Sequence, residues 1–191
     1  MADIPLHHIE YGLCVDFLTG EPLVDTDDER FRQKIASFLV SEKGFHRSEI
    51  MARQKIETLF NRQFVVSIID FIIRLKGREL MVIRYGPGSI VTRERPAIAA
   101  ARVYNPQYQI PLAVVTNGID AELLDTLSGQ VLAYGLSAIP SRNMSLDLVN
   151  SLNFISFPAS KREKELRILN VYDVDICCVG GACPLPKAPE G

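Results

Sequence analysis

The spacing of apolar positions changes along the chain, and each change marks an element. After Thr26-Asp27-Asp28-Glu29, the residues Phe31, Ile35, Phe38 and Leu39 recur at helical spacing, and Gly44 stands where a left-handed residue closes a helix. The Thr-to-Glu spacing forms a capping box, in which the hydroxyl accepts from the third helical amide and the Glu reaches back to the cap. A helix over 27–43 follows. From 49 to 85 the period shortens. Residues 50–60 and 79–85 read as strands, and 64–75, apolar on both faces, reads as a strand covered on both sides. Asn61-Arg62-Gln63 and the three residues Lys76-Gly77-Arg78 turn the chain, giving a three-stranded antiparallel meander that ends at Gly86-Pro87-Gly88.

Beyond it the spacing predicts a helix over 92–104. Pro96 falls in its first turn, where amides lack an intrahelical partner, and Ile98, Ala101 and Val103 face inward. Pro106 closes this helix and 110–116 is a buried strand, so strand, helix and strand make a crossover onto the same sheet. Residues 121–125 and 130–134 form a short hairpin, and helices follow near 143–153 and 159–173. Pro184, Pro186 and Pro189 then mark a tail. The expected organisation is one domain over 1–175 and a Cys/Pro-rich mobile tail over 176–191.

Composition narrows the function classes. With 47% apolar and 23% charged residues, the 191-residue chain has the make-up of a globular domain. Lys and Arg number 21 against 23 Asp and Glu, so no global positive field draws in nucleic acid and any anion site must be a local patch. The longest apolar stretch, 64–73, contains Ser67 and Asp70 and is too short to span a bilayer, while Met1-Ala2-Asp3-Ile4-Pro5 lacks the blocks of a signal peptide. A cytoplasmic protein with no membrane partner is expected. Cys14, Cys177, Cys178 and Cys183 allow two disulfides, a zinc or iron–sulfur site, or free thiols. Free thiols are the favoured reading, since adjacent cysteines fit one tetrahedral ion poorly. The histidines His7, His8 and His46 sit in no nucleophile motif. A dinucleotide fingerprint starting at Gly86 fails at Val91, where its third glycine belongs.

Four pieces occur in order over 25–135: the acidic helix start around Glu29, Ile68-Ile69-Asp70-Phe71-Ile72-Ile73, Leu80-Met81-Val82-Ile83-Arg84-Tyr85-Gly86, and Val114-Val115-Thr116-Asn117-Gly118. In these the chain resembles the N-terminal nuclease domain of type I restriction enzyme R subunits, within the PD-(D/E)xK group. The resemblance implies an α/β, restriction-endonuclease-like core (helix, three-stranded antiparallel meander, helix, strand) with C-terminal helices. It also implies Mg²⁺-dependent cleavage of DNA and restriction-modification subunits as partners. In that family an Asp late in the second strand and a Glu in the third hold the metal, and a Lys two residues after the Glu orients water. Position by position, Asp70 matches the Asp, Arg84 stands at the Glu and Gly86 at the Lys. Ala100, ahead of Tyr104, stands at a helical Gln, and Glu29 matches an acid on the first helix.

A guanidinium in the seat of a carboxylate repels a divalent ion by roughly 8 kcal/mol at ~4 Å and an effective dielectric of ~20. Arg84 is therefore expected to pair with Asp70 on one face of the sheet, the three-residue turn supplying the register. The expected function is a catalytically degenerate nuclease fold acting as a nucleic-acid-associated binding or scaffold module, without cofactor, in which Arg84, Arg93 and Arg95, with Arg102 nearby, meet phosphate oxygens. The alternative is an active Mg²⁺ endonuclease with carboxylates relocated to Glu94, Glu57 or Glu29. A third reading is a metal or redox protein built on the cysteines. Two residues also admit plain structural roles: Asp70 as a buried acid that an ion pair satisfies, and Glu29 as the capping-box acid. Lys161-Arg162-Glu163-Lys164-Glu165 mixes both signs, as on a solvated helix face.

Overall fold

The computed structural model describes residues 10–177. Thr26 Oγ1 accepts from Glu29 N at 3.1 Å, and helix α1 (Asp27–Ser41) starts there. It follows a two-stranded hairpin, β1 (Leu13–Val15) with β2 (Pro22–Val24), which the hydrophobic pattern does not disclose. The meander is β3 (Ile50–Phe60), β4 (Gln63–Leu75) and β5 (Arg78–Tyr85). A 3₁₀ turn then leads into α2 (Glu94–Val103), β6 (Leu112–Thr116), β7 (Ala121–Asp125), β8 (Val131–Tyr134), α3 (Arg142–Ser151) and α4 (Ala159–Cys177). The expected elements are all present, most with ends moved by one to four residues. The 176–191 tail falls, but for the last two residues of α4, outside the described residues, as do His7 and His8.

Strands β3 to β8 form one mixed sheet in sequence order. Every neighbouring pair is antiparallel except β5 and β6, which are parallel and joined through α2. Two helical layers cover the sheet. Ile35 and Leu39 of α1 and Val149 of α3 pack against Phe71, Ile73, Met81 and Ile83 on one face. On the other, Ile98 and Val103 of α2 and Leu169 of α4 pack against Ile69, Ile72 and Val82. Each such aliphatic side chain, fully buried, stabilises the fold by about 1.5–3 kcal/mol. The run Ala99-Ala100-Ala101, wholly buried, lets α2 lie close on the sheet. No helix among the described residues is long and apolar enough to cross a membrane.

The β4–β5 turn corrects one expectation. Lys76 and Gly77, with φ of 50° and 77°, form a two-residue turn, and Leu75 pairs with Arg78. Two successive left-handed residues are what a tight hairpin of this twist requires. A bulge between Ile73 and Arg74 then shifts the register by one, so that Phe71 faces Ile83. The bulge supplies the offset that a third turn residue was expected to provide.

A buried carboxylate–arginine network

Facing alternation slips in the middle of the meander. On β3, Ile50 and Ala52 pack with the α1 layer, whereas Ile56 packs with the α2/α4 layer, although all are even-numbered. On β4, Ile73 and Phe71 pack with the α1 layer and Ile69 with the other. The slip centres on Arg53, whose φ is +51°, and on Asp70, which lies across from it between the pairs Ala52–Phe71 and Gln54–Ile69. A left-handed arginine in a strand costs of order 1 kcal/mol. Here it turns both charged side chains toward α1.

Asp70 is buried, and both of its oxygens are used. Arg32 Nε donates to Oδ1 at 2.6 Å and Tyr85 N donates to Oδ2 at 2.7 Å. Arg32 also lies 3.8 Å from Glu29 and stacks its guanidinium 5.2 Å from the Tyr85 ring centre. Burial alone would lower the Arg32 pKa, but Asp70 and then Glu29 more than offset it, and the net shift is upward. Glu29 Oε1 accepts from Arg53 Nη2 at 2.6 Å and from Gln33 Nε2 at 2.7 Å. Its carboxylate is thus held by these donors, so only the Thr26 half of the expected capping box forms. Arg53 reaches on to Asp16, which also accepts from the amides of Leu18 and Thr19. Burial pushes the Asp16 pKa up, but the Thr19 amide, Arg53 and the Leu18 amide together hold it below the usual carboxylate value.

The expected Asp70–Arg84 pair does not exist. Arg84 points into the opposite layer, where Nη2 donates to Asp173 of α4 at 2.9 Å, with both side chains nearly buried. The β4–β5 pairing runs to Phe71–Ile83, and the slip at Asp70 turns its side chain toward α1 while Arg84 faces α4. At Gly86 the absence of a side chain has a use: a Cβ there would lie 2.2 Å from the Arg93 guanidinium carbon, and Arg93 donates to Pro87 O at 3.1 Å. Arg95 and Arg102 meet Glu165 of α4 at 2.5 and 3.2 Å. Of the arginines expected at the cleft, Arg84, Arg95 and Arg102 thus have a carboxylate partner on α4.

The other candidate acids scatter. Glu57 is exposed on the edge strand β3. Glu94 opens α2 and faces Glu122 of β7, which lies in the same cross-sheet row as Arg84 and Val115. Burial and then the Glu94 carboxylate push the Glu122 pKa up. Cys14 is a free, half-buried thiol on β1, and Cys178 and Cys183 lie outside the described residues. Among the described residues no three His, Cys, Asp or Glu side chains gather as a metal site requires.

Thr116-Asn117-Gly118 locks the end of β6. Thr116 O accepts from Gly86 N at 3.0 Å, and Asn117 Nδ2 donates to Gly88 O at 3.1 Å, tying the loop after β5 to the loop after β6. Gly118 has a φ of +85°, and a Cβ there would lie 2.6 Å from the Phe31 ring, so only glycine lets α1 approach. Sequence reasoning missed Arg32, Arg53, Asp16, Glu122, Glu165 and Asp173. Arg32 alone had a local signal, three residues beyond Glu29 on one helical face.

No curated protein and no solved structure shows significant similarity to the chain. The family model for the type I restriction enzyme R protein N terminus matches residues 27–140, from the start of α1 through β8 to the residues before α3. That span holds Glu29, Arg32, Arg53, Asp70 and the Thr-Asn-Gly corner, and it covers more than half of the chain; the protein belongs to the family of type I restriction enzyme R protein N-terminal domains.

Proposed function

We propose that this chain is a restriction-endonuclease-like domain that has lost cleavage and serves as a nucleic-acid-associated binding or scaffold module. The observation that carries the reading is the state of Asp70: each of its oxygens already accepts from a donor, Arg32 Nε at 2.6 Å and Tyr85 N at 2.7 Å. Mg²⁺ asks for oxygen ligands in near-octahedral array at 2.0–2.1 Å. At the positions that the resemblance assigns to the ligands and the Lys, this chain offers one engaged carboxylate, an arginine turned toward α4, and a glycine, while the β5 side chains on the Asp70 side, Ile83 and Tyr85, supply no carboxylate. That donor set does not fit the metal. The order of helix, meander, helix and parallel strand supports the restriction-endonuclease-like core. DNA and restriction-modification subunits are the partners that family membership suggests, with the cytoplasm as the compartment, and no resident cofactor is needed.

The test is a plasmid-nicking assay with Mg²⁺ and Mn²⁺, run beside binding of labelled oligonucleotides measured by anisotropy. Binding without metal-dependent nicking is the expected result. Nicking by the wild type that disappears in Asp70→Ala refutes the proposal. One observation favours a second reading, an active enzyme with relocated acids: Glu122, 4% exposed, has an oxygen without a hydrogen-bond donor and faces Glu94. Nicking that survives Asp70→Ala and vanishes in Glu122→Gln would establish it.

A further inference from the structure

A groove of about 410 Å³ runs between α2 and α4, away from the Asp70 network. Pro96 and Ile168 supply an apolar floor, Tyr172 an aromatic wall beside the exposed Val171, and Arg95, Lys164 and Arg167 a cationic rim. Among the described residues no carboxylate lines it. The spacing on α4 is regular: Lys164, Arg167/Ile168 and Val171/Tyr172 fall on successive turns of one helical face. At 1.5 Å per residue they span about 12 Å, roughly three bases at the 3.4 Å stacked repeat.

We infer that this groove binds single-stranded nucleic acid, with phosphates along Lys164 and Arg167 and an unpaired base on Tyr172. The inference rests on the nucleic-acid reading above and gives that reading a location. Three features carry it. Cations alternate with apolar and aromatic surface, as stacking platforms for single strands require. Arg167 pairs with Glu163, an exposed neighbour one turn away, both side chains more than 60% exposed, and its guanidinium lies 5.5 Å from the Phe60 ring centre. Such a pair yields readily to a phosphate. Arg95 sits over the groove with Nη2 fixed 2.5 Å from the buried Glu165, which orients the guanidinium without neutralising the rim as a whole. A duplex keeps its bases stacked inside, out of reach of Tyr172, so the groove selects unpaired strands.

The experiment uses the full chain and a labelled 15-nucleotide oligo(dT), a 15-bp duplex of mixed sequence and a labelled polyglutamate peptide, titrated by anisotropy over a range of salt. The variants are Lys164→Gln with Arg167→Gln, Tyr172→Ala, Tyr172→Phe, and, as a control, Lys76→Gln on the β4–β5 turn, where Lys76 donates to Asn150 of α3. The single strand should bind more tightly than the duplex or the peptide. The double variant should weaken it about tenfold and flatten the salt slope by about 1.4, two phosphates at ~0.7 each. Tyr172→Ala should cost about tenfold and Tyr172→Phe little, because the ring is what stacks. Single-strand binding that these changes leave at the Lys76→Gln level overturns the groove assignment while keeping the nucleic-acid reading. Equal affinity for the duplex or for polyglutamate overturns the selectivity. No binding of either nucleic acid sinks both the assignment and the reading beneath it.

Discussion

Writing the family's residues back into the strand, as Arg84→Glu with Gly86→Lys, should restore the letters of the nuclease motif without its chemistry. Arg84 and Asp173 are 12% and 7% exposed and 2.9 Å apart. A glutamate at 84 would face Asp173, replacing a buried ion pair by two buried acids. Removing one partner of such a pair costs about 3–5 kcal/mol. At 86 any side chain begins 2.2 Å from the Arg93 guanidinium carbon, so Arg93 must leave its bond to Pro87 O. At about 2–4 °C per kcal/mol for a chain of this size, the double variant should melt about 6–20 °C lower than the wild type. Calorimetry measures that loss, and nicking with Mg²⁺ or Mn²⁺ should remain absent. Exchanging the charges, Arg84→Glu with Asp173→Arg, should recover part of the stability and none of the activity. A metal-dependent nuclease appearing in the Arg84→Glu/Gly86→Lys variant at undiminished melting temperature would refute the reasoning, because it would require residue 84 and Asp70 to share a pocket.

Three further outcomes follow from the same geometry. Arg32→Met leaves Asp70, 4% exposed, with the Tyr85 amide as its one donor, and should lower stability by about 1.5–3 kcal/mol, read as a shift in the urea midpoint at unchanged slope. Glu122 has its pKa raised in the fold by burial and by Glu94, so its proton stabilises the native state at low pH and that contribution is lost as pH rises through the folded value. Glu122→Gln removes the loss, and its stability relative to wild type should grow as pH rises from the ordinary 4.5 through the raised folded value; a difference that stays flat as pH rises from that point refutes the assignment. Gly118→Ala forces a side chain into a left-handed backbone against Phe31 and should cost about 1–3 kcal/mol in thermal melts, whereas Gly129→Ala, with nothing closer than 3.9 Å, bears only the backbone strain.

Local patterning made most of the fold legible. The β3 boundaries and the left-handed Gly44 follow from spacing and turn chemistry alone, and the crossover through α2 follows from strand order. The site was legible only in part. Asp70 and Glu29 stood out because an acid amid apolar residues or at a helix start is a local anomaly, and they do lie in one network with Arg32. Their true partners were not visible, for a physical reason. Alternation along a strand predicts which side chains share a face only while the backbone stays regular, and the left-handed Arg53 breaks that regularity without any glycine to announce it. Asp173 and Glu165 carried no signal either, since an acid on an amphipathic helix reads as solvent-facing until the sheet beneath supplies an arginine.

The ion pair that holds Arg84 joins positions 89 residues apart. On a ribosome adding about 5–20 residues per second, Arg84 is made roughly 4–18 s before Asp173 exists. The meander, whose hairpins close in microseconds, is complete for most of that interval with an uncompensated guanidinium on its open face. Until the last helix arrives that one guanidinium stands unpaired on the sheet, and Asp173 is what turns it inward.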